Sequence, residues 1–344
     1  MNSKVLILMS GGIDSSVAAA VLKEQGYRVG GLTFSLLGKD TDSESIEDAK
    51  QVARILGIEH FVIDLSSYFN DTIIKYFLQE YRDGRTPNVC ALCNREIKIK
   101  MGLHFADELG FDYIATGHYA RVQHDGQEVH LKKALWKEKS QEYYLALTGK
   151  TDLARVLFPL GEFSKAEVRK KARELGYSIH EKEESQDICF VGKDYRDFLK
   201  NRGFNVKKGV IRDLLGNVLG THDGYYFFTI GQRRGLGVSG GERLYVRGIN
   251  PQENEITVAP LKSLYDSCFY VGSVNLIEDV GNRFIATVRV RYRGEEAEAR
   301  LRKEGELYKV ELTRRLFAVT PGQIAVFYQG DLVVGGGFIV EKCR

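Results

Sequence analysis

The first 116 residues alternate between short apolar runs of strand length and longer stretches whose apolar residues recur at helical spacing. Strands are predicted at residues 4–9, 28–34, 59–64 and 113–116, and helices at residues 15–25, 45–56 and 94–109. This alternation predicts βαβ units in a parallel sheet. Ligands of such sheets bind beyond the carboxyl ends of the strands, so motifs that follow these strands are expected to converge there.

The composition and the residue spacing of the chain change near residue 205. Glycine becomes denser, helical spacing disappears, and short β-prone runs such as residues 225–230 and 243–246 follow one another. From residue 268 onward, short strands at regular spacing suggest a small barrel. The expected α/β architecture is a Rossmann-like parallel-sheet domain (1–204), a small β-rich central domain (205–266) and a C-terminal β-barrel that contacts RNA (267–344).

Composition narrows the functional classes only slightly. A net charge of +3 is too mild to establish nucleic-acid binding. The apolar run at the N-terminus is too short for a signal peptide or a membrane span, which predicts a cytoplasmic protein without a membrane partner. Five cysteines are an odd number for such a chain, so we expect reactive or metal-binding thiols and not a disulfide framework.

The string SGGIDSS follows the first predicted strand and opens the first helix. Its backbone N–H groups and hydroxyls suit phosphates at the positive end of that helix, and Asp14 suits a Mg²⁺ ion that bridges phosphate oxygens. A glycine turn with an N-capping serine is the structural alternative. The loop resembles the PP-loop of ATP pyrophosphatases, which implies cleavage of ATP to AMP and pyrophosphate.

Two thiols, Cys90 and Cys93, lie at or just before a predicted helix start, and Cys189 lies in the string SQDICF. A helix N-terminus lowers a thiol pKa, which favours the reactive thiolate. Read alone, the CxxC string also fits a buried pair, a redox disulfide or half of a zinc site. Cys268 and Cys343 are interpreted as structural residues.

Nine motifs occur in the order seen in bacterial tRNA-specific 2-thiouridylases, and the resemblance spans nearly the whole chain. They are the PP-loop, the CN motif at Cys93, GHYA at residues 117–120, FPLG at 158–161, Cys189 in DICF, HDG at 222–224, TIGQRRGLG at 229–237, RYR at 291–293 and TPGQ at 320–323.

The resemblance implies roles for individual residues. Cys93 would be the nucleophile and Cys189 the residue that carries sulfane sulfur as a persulfide. The ATP-binding residues would be Met9, Ser10, Gly11, Gly12, Asp14, Ser15, Ser16, Phe34 and Gly117. The RNA-binding residues would be Asn88, Val89, His118, Lys139, Ser140, Gln141, Arg291, Tyr292 and Gln323, with Asn88–Cys90 facing the target base and His118 and Gln323 close to the modified nucleotide. Independently of the resemblance, Arg233 and Arg234 lie in a Gly-rich loop that fits phosphate contacts with RNA.

The sequence departs from the family pattern at Cys90, where many members carry an aspartate with a general acid/base role that a thiol only partly imitates. Cys90, Cys93 and Cys189 resemble the three-thiolate set of sulfur-transfer relatives that bind a [4Fe–4S] cluster with one open iron. We favour such a cluster over a persulfide on Cys189. A second departure is Glu142, a carboxylate expected close to an anionic substrate.

Two stretches are more basic than the rest of the chain: residues 195–248 contain ten Lys/Arg against four Asp/Glu, and residues 283–315 ten against six. Arg289, Arg291 and Arg293 alternate, so a strand would direct them to one face for phosphate contacts. A solvated strand face is the alternative. His118 could equally be a packed loop residue.

Together these features predict ATP-dependent 2-thiolation of uridine, at the wobble position U34 of tRNA, through an adenylated O2. The cofactors would be ATP, Mg²⁺ and the cluster, and sulfur would come from a donor protein or sulfide. The alternatives are thiolation of another RNA such as rRNA, a PP-loop amidating synthetase, and a non-catalytic RNA-binding protein.

Overall fold

A computed structural model describes residues 3–126, 128–177, 188–192, 194–238 and 242–343 of the chain. The motif around Cys189 is therefore described only from Ile188 onward, and Ser185, Gln186 and Asp187 lie outside the described residues. Three sheets organise the described chain: a five-stranded parallel sheet, a four-stranded sheet and an eight-stranded sheet.

The N-terminal sheet has the order β3-β2-β1-β4-β7, and every pair in it is parallel. Its strands are β1 (Lys4–Leu8), β2 (Arg28–Ser35), β3 (Glu59–Asp64), β4 (Tyr113–Ala115) and β7 (Val156–Leu157). The first helices are α1 (Ile13–Glu24) and α2 (Ser43–Leu56). The central strand β1 is almost completely buried, as expected of a parallel strand covered on both faces. The predicted Rossmann-like domain is confirmed.

A long helical region separates β3 from β4. It contains α3 (Ser66–Phe69), a π-helical stretch Asn70–Ile74, α4 (Lys75–Arg82), α5 (Val89–Cys93), a second π-helical stretch Asn94–Met101 and α6 (Gly102–Leu109). Two further helices, α7 (Lys150–Leu153) and α8 (Lys165–Glu174), follow the sheet, and α9 (Tyr195–Asn201) leads into the central domain. The predicted helix 94–109 is thus the continuation of a helix that begins at Val89.

The central domain contains the sheet β10-β11-β8-β9, made of β8 (Gly209–Arg212), β9 (Val218–His222), β10 (Leu244–Asn250) and β11 (Glu255–Pro260). The β-run predicted at residues 225–230 is wrong, because Tyr225–Phe227 forms a 3-10 turn. Tyr226 and Phe227 pack edge to face there, with ring centroids 4.7 Å apart. Apolar residues therefore cluster at this turn without extending into a strand.

The C-terminal barrel closes from six antiparallel strands, because β12 pairs with both β15 and β17. The strands are β12 (Tyr265–Leu276), β13 (Arg283–Arg289), β14 (Glu296–Glu304), β15 (Leu307–Phe317), β16 (Ile324–Gln329) and β17 (Leu332–Lys342). A hairpin of the N-terminal domain, β5 (Ala120–Asp125) with β6 (Glu128–Lys133), extends this sheet through β17. The predicted barrel is confirmed, and its sheet continues into the first domain.

Cys268 and Cys343 form a disulfide that ties the end of the chain to β12. The expectation that the chain would lack disulfides is wrong for this pair. The backbone N–H of Cys343 also donates to the carbonyl of Cys268, at 3.2 Å, so the two residues are neighbours through the sheet register as well. Among the helices of the described residues, none is long and apolar enough to cross a membrane.

Candidate functional site

The SGGIDSS loop joins β1 to α1 at the carboxyl edge of the parallel sheet. Gly12 is the N-cap of α1 and supplies no side-chain capping bond, so the first-turn N–H groups of the helix point toward a potential anion. The hydroxyls of Ser15 and Ser16 donate to the carbonyl of Gly12, at 3.1 and 2.9 Å. Ser10 Oγ lies 3.3 Å from Ser15 Oγ. These contacts hold the loop in an open curve at the helix N-terminus.

Two glycines allow other backbone segments to approach this loop closely. Gly11 has φ +70°, and a Cβ there would lie 2.4 Å from the carbonyl oxygen of Ser45. A Cβ on Gly117 would lie 2.6 Å from the backbone nitrogen of Ser15. The strand end at Gly117 therefore packs directly on the start of α1, and the expected convergence of these two motifs is observed.

The other predicted nucleotide-binding residues lie at the ends of the neighbouring strands. Met9 is buried and its carbonyl accepts a 2.9 Å hydrogen bond from the hydroxyl of Thr33. Phe34, near the end of β2, is partly exposed, and its ring centroid lies 6.0 Å from that of Phe105. Backbone and aromatic surface at this edge of the sheet suit an adenine ring, because a purine has two flat apolar faces.

The carboxylate of Asp14 is bound by a residue that sequence reasoning did not single out. Lys165, the first residue of α8, places its Nζ 2.8 and 2.9 Å from the two carboxylate oxygens. The hydroxyl of Tyr119 donates to the same carboxylate, at 2.8 Å. The expected Mg²⁺ ligand is thus held by a cation and a phenol in the described structure.

The cysteine helix begins at Asn88, whose side-chain oxygen accepts from the N–H of Ala91, at 3.2 Å. Cys90 lies in the first turn and is exposed, whereas Cys93 lies at the end of α5 and is half-buried. Cys189 is exposed in the segment that follows the undescribed residues. Next to it, the ring of Phe190 packs edge to face on Phe77, with centroids 5.3 Å apart, which fixes the segment against α4.

Burial raises the pKa of all three thiols. It raises the pKa of Cys93 to about 12, and it raises the pKa of Cys90 and of Cys189 although solvent reaches part of both residues. Desolvation of the sulfur atoms is the largest cause for each thiol, so the lowered pKa values expected at a helix start are not found here.

The opposing charge comes from Lys98, a second residue that sequence reasoning missed. Its ammonium lowers the pKa of each of the three thiols, and Cys189 raises the pKa of both Cys90 and Cys93, so all four groups lie within electrostatic reach. Lys98 comes five positions after Cys93, which in an α-helix would direct the two side chains about 140° apart. The π-helical stretch Asn94–Met101 turns less per residue, because its hydrogen bonds span five residues, so it brings Lys98 closer to the face that carries Cys93.

His118 connects the nucleotide loop to this thiol group. It is buried, its Nδ1 is hydrogen-bonded to Thr116 Oγ1 at 2.7 Å, and its ring packs on Phe158. Burial first, and then the charge of Lys98, holds the pKa of His118 well below its usual value. A neutral imidazole therefore follows Gly117, which contacts the loop, and lies within electrostatic reach of Lys98.

The TPGQ motif of the barrel holds the segment that leads into the cysteine helix. The N–H groups of Thr86 and Asn88 donate to the carbonyls of Pro321 and Gly322, both at 3.0 Å. Gln323 Nε2 donates to the carbonyls of Thr86 and Pro87, at 3.0 and 3.3 Å. We call these contacts, between residues 86–88 and 320–323, the barrel clasp. It brings together Asn88 and Gln323, two residues expected at the target base.

A tyrosine next to the exposed thiol of Cys90 packs on a second tyrosine. The rings of Tyr144 and Tyr292 lie 4.7 Å apart. Burial, and then the neighbouring Cys90 thiol, raises the pKa of Tyr144 above its usual range. Asn94, next to Cys93, donates from its amide nitrogen to the carbonyl of Tyr144, at 3.3 Å. Tyr292, which is predicted to contact RNA, thus packs on Tyr144, which the motifs did not flag and which lies next to the Cys90 thiol.

The predicted RNA contacts at Lys139, Ser140 and Gln141 differ in exposure. Lys139 is partly exposed, whereas Ser140 is buried and its hydroxyl is bonded to Glu142. The N–H of Tyr119 donates to Gln141 Oε1, at 2.9 Å, so Gln141 holds the loop that carries His118 and its side chain is turned inward. The predicted contact between Ser140 and RNA would therefore require this buried side chain to become exposed.

Glu142 does not face a substrate surface, contrary to the expectation. It is fully buried, Arg289 Nη1 lies 3.3 Å from its Oε1, and the hydroxyl of Tyr328 donates to the same oxygen at 3.1 Å. Its charge is compensated within the protein, so it does not add a negative charge to the protein surface.

The expected arginine stripe does not form, because β13 ends at Arg289. Arg289 pairs with Glu142 and Glu296, and Arg291 donates to the carbonyls of Ala318 and Ile230 and to Thr320 Oγ1. Of the three arginines, Arg293 is exposed. Exposed guanidinium groups are also found at Arg233 and Arg234 in the central domain.

The thiols do not fit the expected cluster in their present arrangement. Among the described residues, no group of three or more His, Cys, Asp or Glu side chains is close enough to hold a metal ion. Cys90, Cys93 and Cys189 are neighbours, but they are not gathered as ligands of one centre. A resident [4Fe–4S] cluster therefore has no support from the geometry.

Comparison with known proteins covers nearly the whole chain. Residues 3–193, 196–260 and 266–339 match the families described as "tRNA methyl transferase HUP domain", "tRNA methyl transferase PRC-barrel domain" and "Aminomethyltransferase beta-barrel domain". The tRNA-specific 2-thiouridylase MnmA 1 of Caldanaerobacter subterraneus subsp. tengcongensis is 43% identical, over 100% of both chains. The tRNA-specific 2-thiouridylase MnmA of Caldicellulosiruptor saccharolyticus is 40% identical, over 99% of both chains. A solved 4-thiouridine synthetase–RNA complex with bound ATP is 22% identical, covers 55% of this chain and 45% of that chain, and has a TM-score of 0.38.

Proposed function

The chain belongs to the tRNA-specific 2-thiouridylase family, and from that premise we propose that it replaces O2 of the wobble uridine, U34, of tRNA with sulfur at the cost of ATP. The observation that carries the proposal is the junction at His118, which links the nucleotide loop to the three thiols through Gly117 and Lys98. An adenylated base held at this junction would have sulfur chemistry on one side and phosphate-binding backbone on the other.

The first proposed step is adenylation. Uracil O2 attacks the α-phosphorus of ATP, the bond to the β-phosphate oxygen breaks, and pyrophosphate leaves. The first-turn N–H groups of α1 would hold the phosphates. A Mg²⁺ ion bound by Asp14 would neutralise part of the phosphate charge. Because AMP is a far better leaving group than oxide, this step prepares C2 for substitution.

The second proposed step delivers sulfur from a persulfide on Cys189. The terminal sulfur attacks C2, and the C2–O2 bond breaks so that AMP leaves with the oxygen. The Cys93 thiolate then attacks the Cys189 sulfur, releasing the 2-thiouridine and forming a Cys93–Cys189 disulfide, which an external thiol reductant reopens. Lys98 supports the thiolate forms that both sulfur steps require.

Target recognition is proposed for the residues around Cys90. A base must leave its stack to reach a thiol, and aromatic rings stabilise a turned-out base by stacking. Tyr144 and Tyr292 supply such rings, and Asn88 and Gln323 supply amides at the barrel clasp. The cytoplasm, which contains both tRNA and ATP, is the proposed compartment.

Nucleoside mass spectrometry tests the function directly. Total tRNA and rRNA from cells with and without the gene are digested, and 2-thiouridine derivatives at tRNA position 34 should be lost with the gene. Loss from rRNA alone, or loss of a methylated nucleoside in place of a thiolated one, would contradict the proposal. In vitro, Cys93→Ser should abolish thiolation. ATP cleavage to AMP and pyrophosphate that is unaffected by this change and yields no thiolated RNA would point to an amidating synthetase.

The sulfur route has its own test. Protein prepared anaerobically is assayed for iron and acid-labile sulfide, and for thiolation with a persulfide donor. The persulfide route predicts full activity without iron and a sulfur adduct on Cys189 by mass spectrometry. Activity that requires about four irons per chain would return the cluster to consideration and remove the persulfide step.

A further inference from the structure

The HDG motif at residues 222–224 takes no part in the proposed reaction, but it builds a turn in the central domain. The Nδ1 atom of His222 accepts a 3.0 Å hydrogen bond from the N–H of Gly224. Gly224 has φ +145°, and a Cβ there would lie 2.6 Å from the ring of Tyr226. The glycine therefore allows this ring to fold back over the turn, and the 3-10 turn Tyr225–Phe227 follows directly.

The two tyrosines of this turn are fixed by contacts with the first domain and with the segment after α9. The hydroxyl of Tyr225 donates to the carbonyl of Arg82, the last residue of α4, and the hydroxyl of Tyr226 donates to the carbonyl of Asn205. The two tyrosine rings lie 5.0 Å apart, and Phe204 packs edge to face on Tyr226, at 5.1 Å. The aromatic rings are thus held in place before any ligand arrives.

A pocket of about 250 Å³ opens between these elements, and we call it the tyrosine pocket. The side chains that line it include Arg82, Phe204, Lys207, Tyr225 and Tyr226. The guanidinium of Arg82 lies 5.1 Å from the centre of the Phe204 ring. Pockets for drug-sized ligands have volumes of roughly 300–1,000 Å³, so the tyrosine pocket suits a single flat base better than a whole cofactor.

The charge of the tyrosine pocket is positive. Its described lining contains two cations and no carboxylate, and both Arg82 and Lys207 are exposed. Within the described part of the chain neither forms a salt bridge, whereas the adjacent Lys208 is paired with Asp223. Aromatic rings beside cations are typical of sites for single-stranded RNA, because the rings stack on a base and the cations bind its phosphate.

The tyrosine pocket lies close to the barrel clasp along the chain. Arg82 precedes Thr86, the first residue of the clasp, by four positions. Consecutive Cα atoms are 3.8 Å apart, so the Cα atoms of these two residues are separated by at most about 15 Å. One RNA molecule could therefore reach both places.

We propose that the tyrosine pocket binds an unpaired nucleotide of the tRNA other than the target uridine. Its base would stack against the tyrosine rings, and its phosphate would contact Lys207 and Arg82. The pocket would hold the RNA at a second point while the target base is turned out at the clasp. The inference rests on the proposed function in one respect, namely that tRNA is the RNA that binds.

The first test measures the affinity of fluorescently labelled tRNA by anisotropy over a series of salt concentrations. Lys207→Gln should weaken binding several-fold and should reduce the slope of log affinity against log salt by about one, as expected for the loss of one phosphate contact. Lys208→Gln is the matched control, because it removes the same charge at the next residue, outside the pocket lining. Equal losses and equal slopes for the two variants would overturn the inference.

The second test concerns the rings. Tyr226→Leu should weaken tRNA binding by roughly tenfold, because base stacking on an aromatic ring is lost, whereas Tyr226→Phe should retain most of the affinity. Parent-like affinity of the leucine variant would overturn the stacking role. Circular dichroism and thermal unfolding show whether each variant is folded, and the comparison of Lys207 with Lys208 still decides if Tyr226→Leu is not.

Free nucleotides could also supply a base and a phosphate, so AMP and UMP are titrated calorimetrically against the same variants. A variant that loses affinity for a free nucleotide but keeps its affinity for tRNA would assign the pocket to that nucleotide and overturn the inference. Parent protein that thiolates tRNA, with Lys207→Gln and Tyr226→Leu binding tRNA normally, overturns the pocket alone. Pocket-dependent tRNA binding by a protein that leaves position 34 unmodified supports the pocket and removes the proposed function.

Discussion

Gln323 Nε2 donates a 3.0 Å hydrogen bond to the carbonyl of Thr86, across 237 residues of sequence. The contact belongs to the barrel clasp, so the C-terminal barrel directly holds the segment that starts the cysteine helix. Because α5 begins at Val89, a shift of this segment would move Cys90 and Cys93. The barrel is thereby a positioning element for the thiols.

The clasp depends on a glycine. Gly322 has φ +89°, and a Cβ there would lie 2.7 Å from the carbonyl oxygen of Thr86 and 2.9 Å from Glu80 Oε2. We expect Gly322→Ala to destabilise the protein by about 1–3 kcal/mol more than a glycine replacement that suffers only the backbone strain. Urea unfolding curves measure the difference.

Gly330→Ala is the matched control, because Gly330 has φ +62° but open space around its Cβ position. Thiolation by Gly322→Ala should also fall while ATP affinity stays unchanged, since the clasp lies at the thiols. Equal stabilities of the two variants would mean that the close approach at Gly322 contributes nothing.

Lys98 should control thiol reactivity. Burial raises the pKa of Cys93 to about 12, so near neutral pH the thiol is protonated and its alkylation rate should increase as pH rises. The titratable groups that interact with the thiols are Lys98, the thiols themselves, Asp42 near Cys189 and Tyr144 near Cys90, and His118 interacts with Lys98. Lys98 lowers the thiol pKa values, so Lys98→Met should raise them and slow the alkylation of Cys93 several-fold at a fixed pH.

Peptide mass spectrometry after iodoacetamide treatment over a pH series reads out Cys93 separately from the other cysteines. The control is Lys100→Met, an exposed lysine of the same π-helical stretch that pairs with Glu96, at 3.2 Å. A rate profile of Lys98→Met that coincides with that of the parent protein would rule out the electrostatic role of Lys98.

Local patterns in the sequence predicted the elements of the site better than its contacts. Strand β3 was predicted with its observed bounds, and the SGGIDSS loop was placed at the correct strand end, because hydrophobic period and turn glycines are local signals. Lys98 was missed because its direction depends on a π-helical hydrogen-bond register that residue spacing does not encode.

Long-range contacts were the other limit. Lys165 reaches Asp14 through the packing of α8 against the loop, and Glu142 finds Arg289 only when the barrel docks. Arg291 lies in a basic stretch of the sequence, as an RNA contact would, but its guanidinium is hydrogen-bonded to carbonyls inside the protein. Its RNA contact stays a prediction, and charge patterns alone do not distinguish these two environments.

The pair Glu142–Arg289 should stabilise the docking of the barrel. Glu142 is fully buried, so its replacement by alanine would leave Arg289 with a poorly compensated charge and Tyr328 with a lost acceptor. We expect Glu142→Ala to lower the free energy of unfolding by about 3 kcal/mol. Urea unfolding measures it, with Glu295→Ala as the control, because Glu295 and Arg314 form an exposed pair worth under about 1 kcal/mol.

RNA affinity gives the buried carboxylate a second readout. Since Glu142 is fully buried, Glu142→Gln should leave tRNA affinity unchanged at a given salt concentration. A marked increase in affinity would mean that the carboxylate repels RNA, as its sequence position had indicated, and that the buried pair opens when RNA binds.

The disulfide Cys268–Cys343 determines how many free thiols the protein should present. Three cysteines of the described residues are free, and the sequence contains five, so unreduced protein unfolded in guanidinium should present three thiols to Ellman's reagent and five after reduction.

Because the bridge joins residues 75 apart in sequence, the loop-entropy estimate predicts that reduction lowers the free energy of unfolding by about 4 kcal/mol. Cys343→Ser should remove the dependence on reductant and leave ATP binding unchanged, since the barrel end lies outside the nucleotide loop. Five thiols in protein that was never exposed to reductant would show that the pair stays reduced in solution, as expected for a cytoplasmic protein.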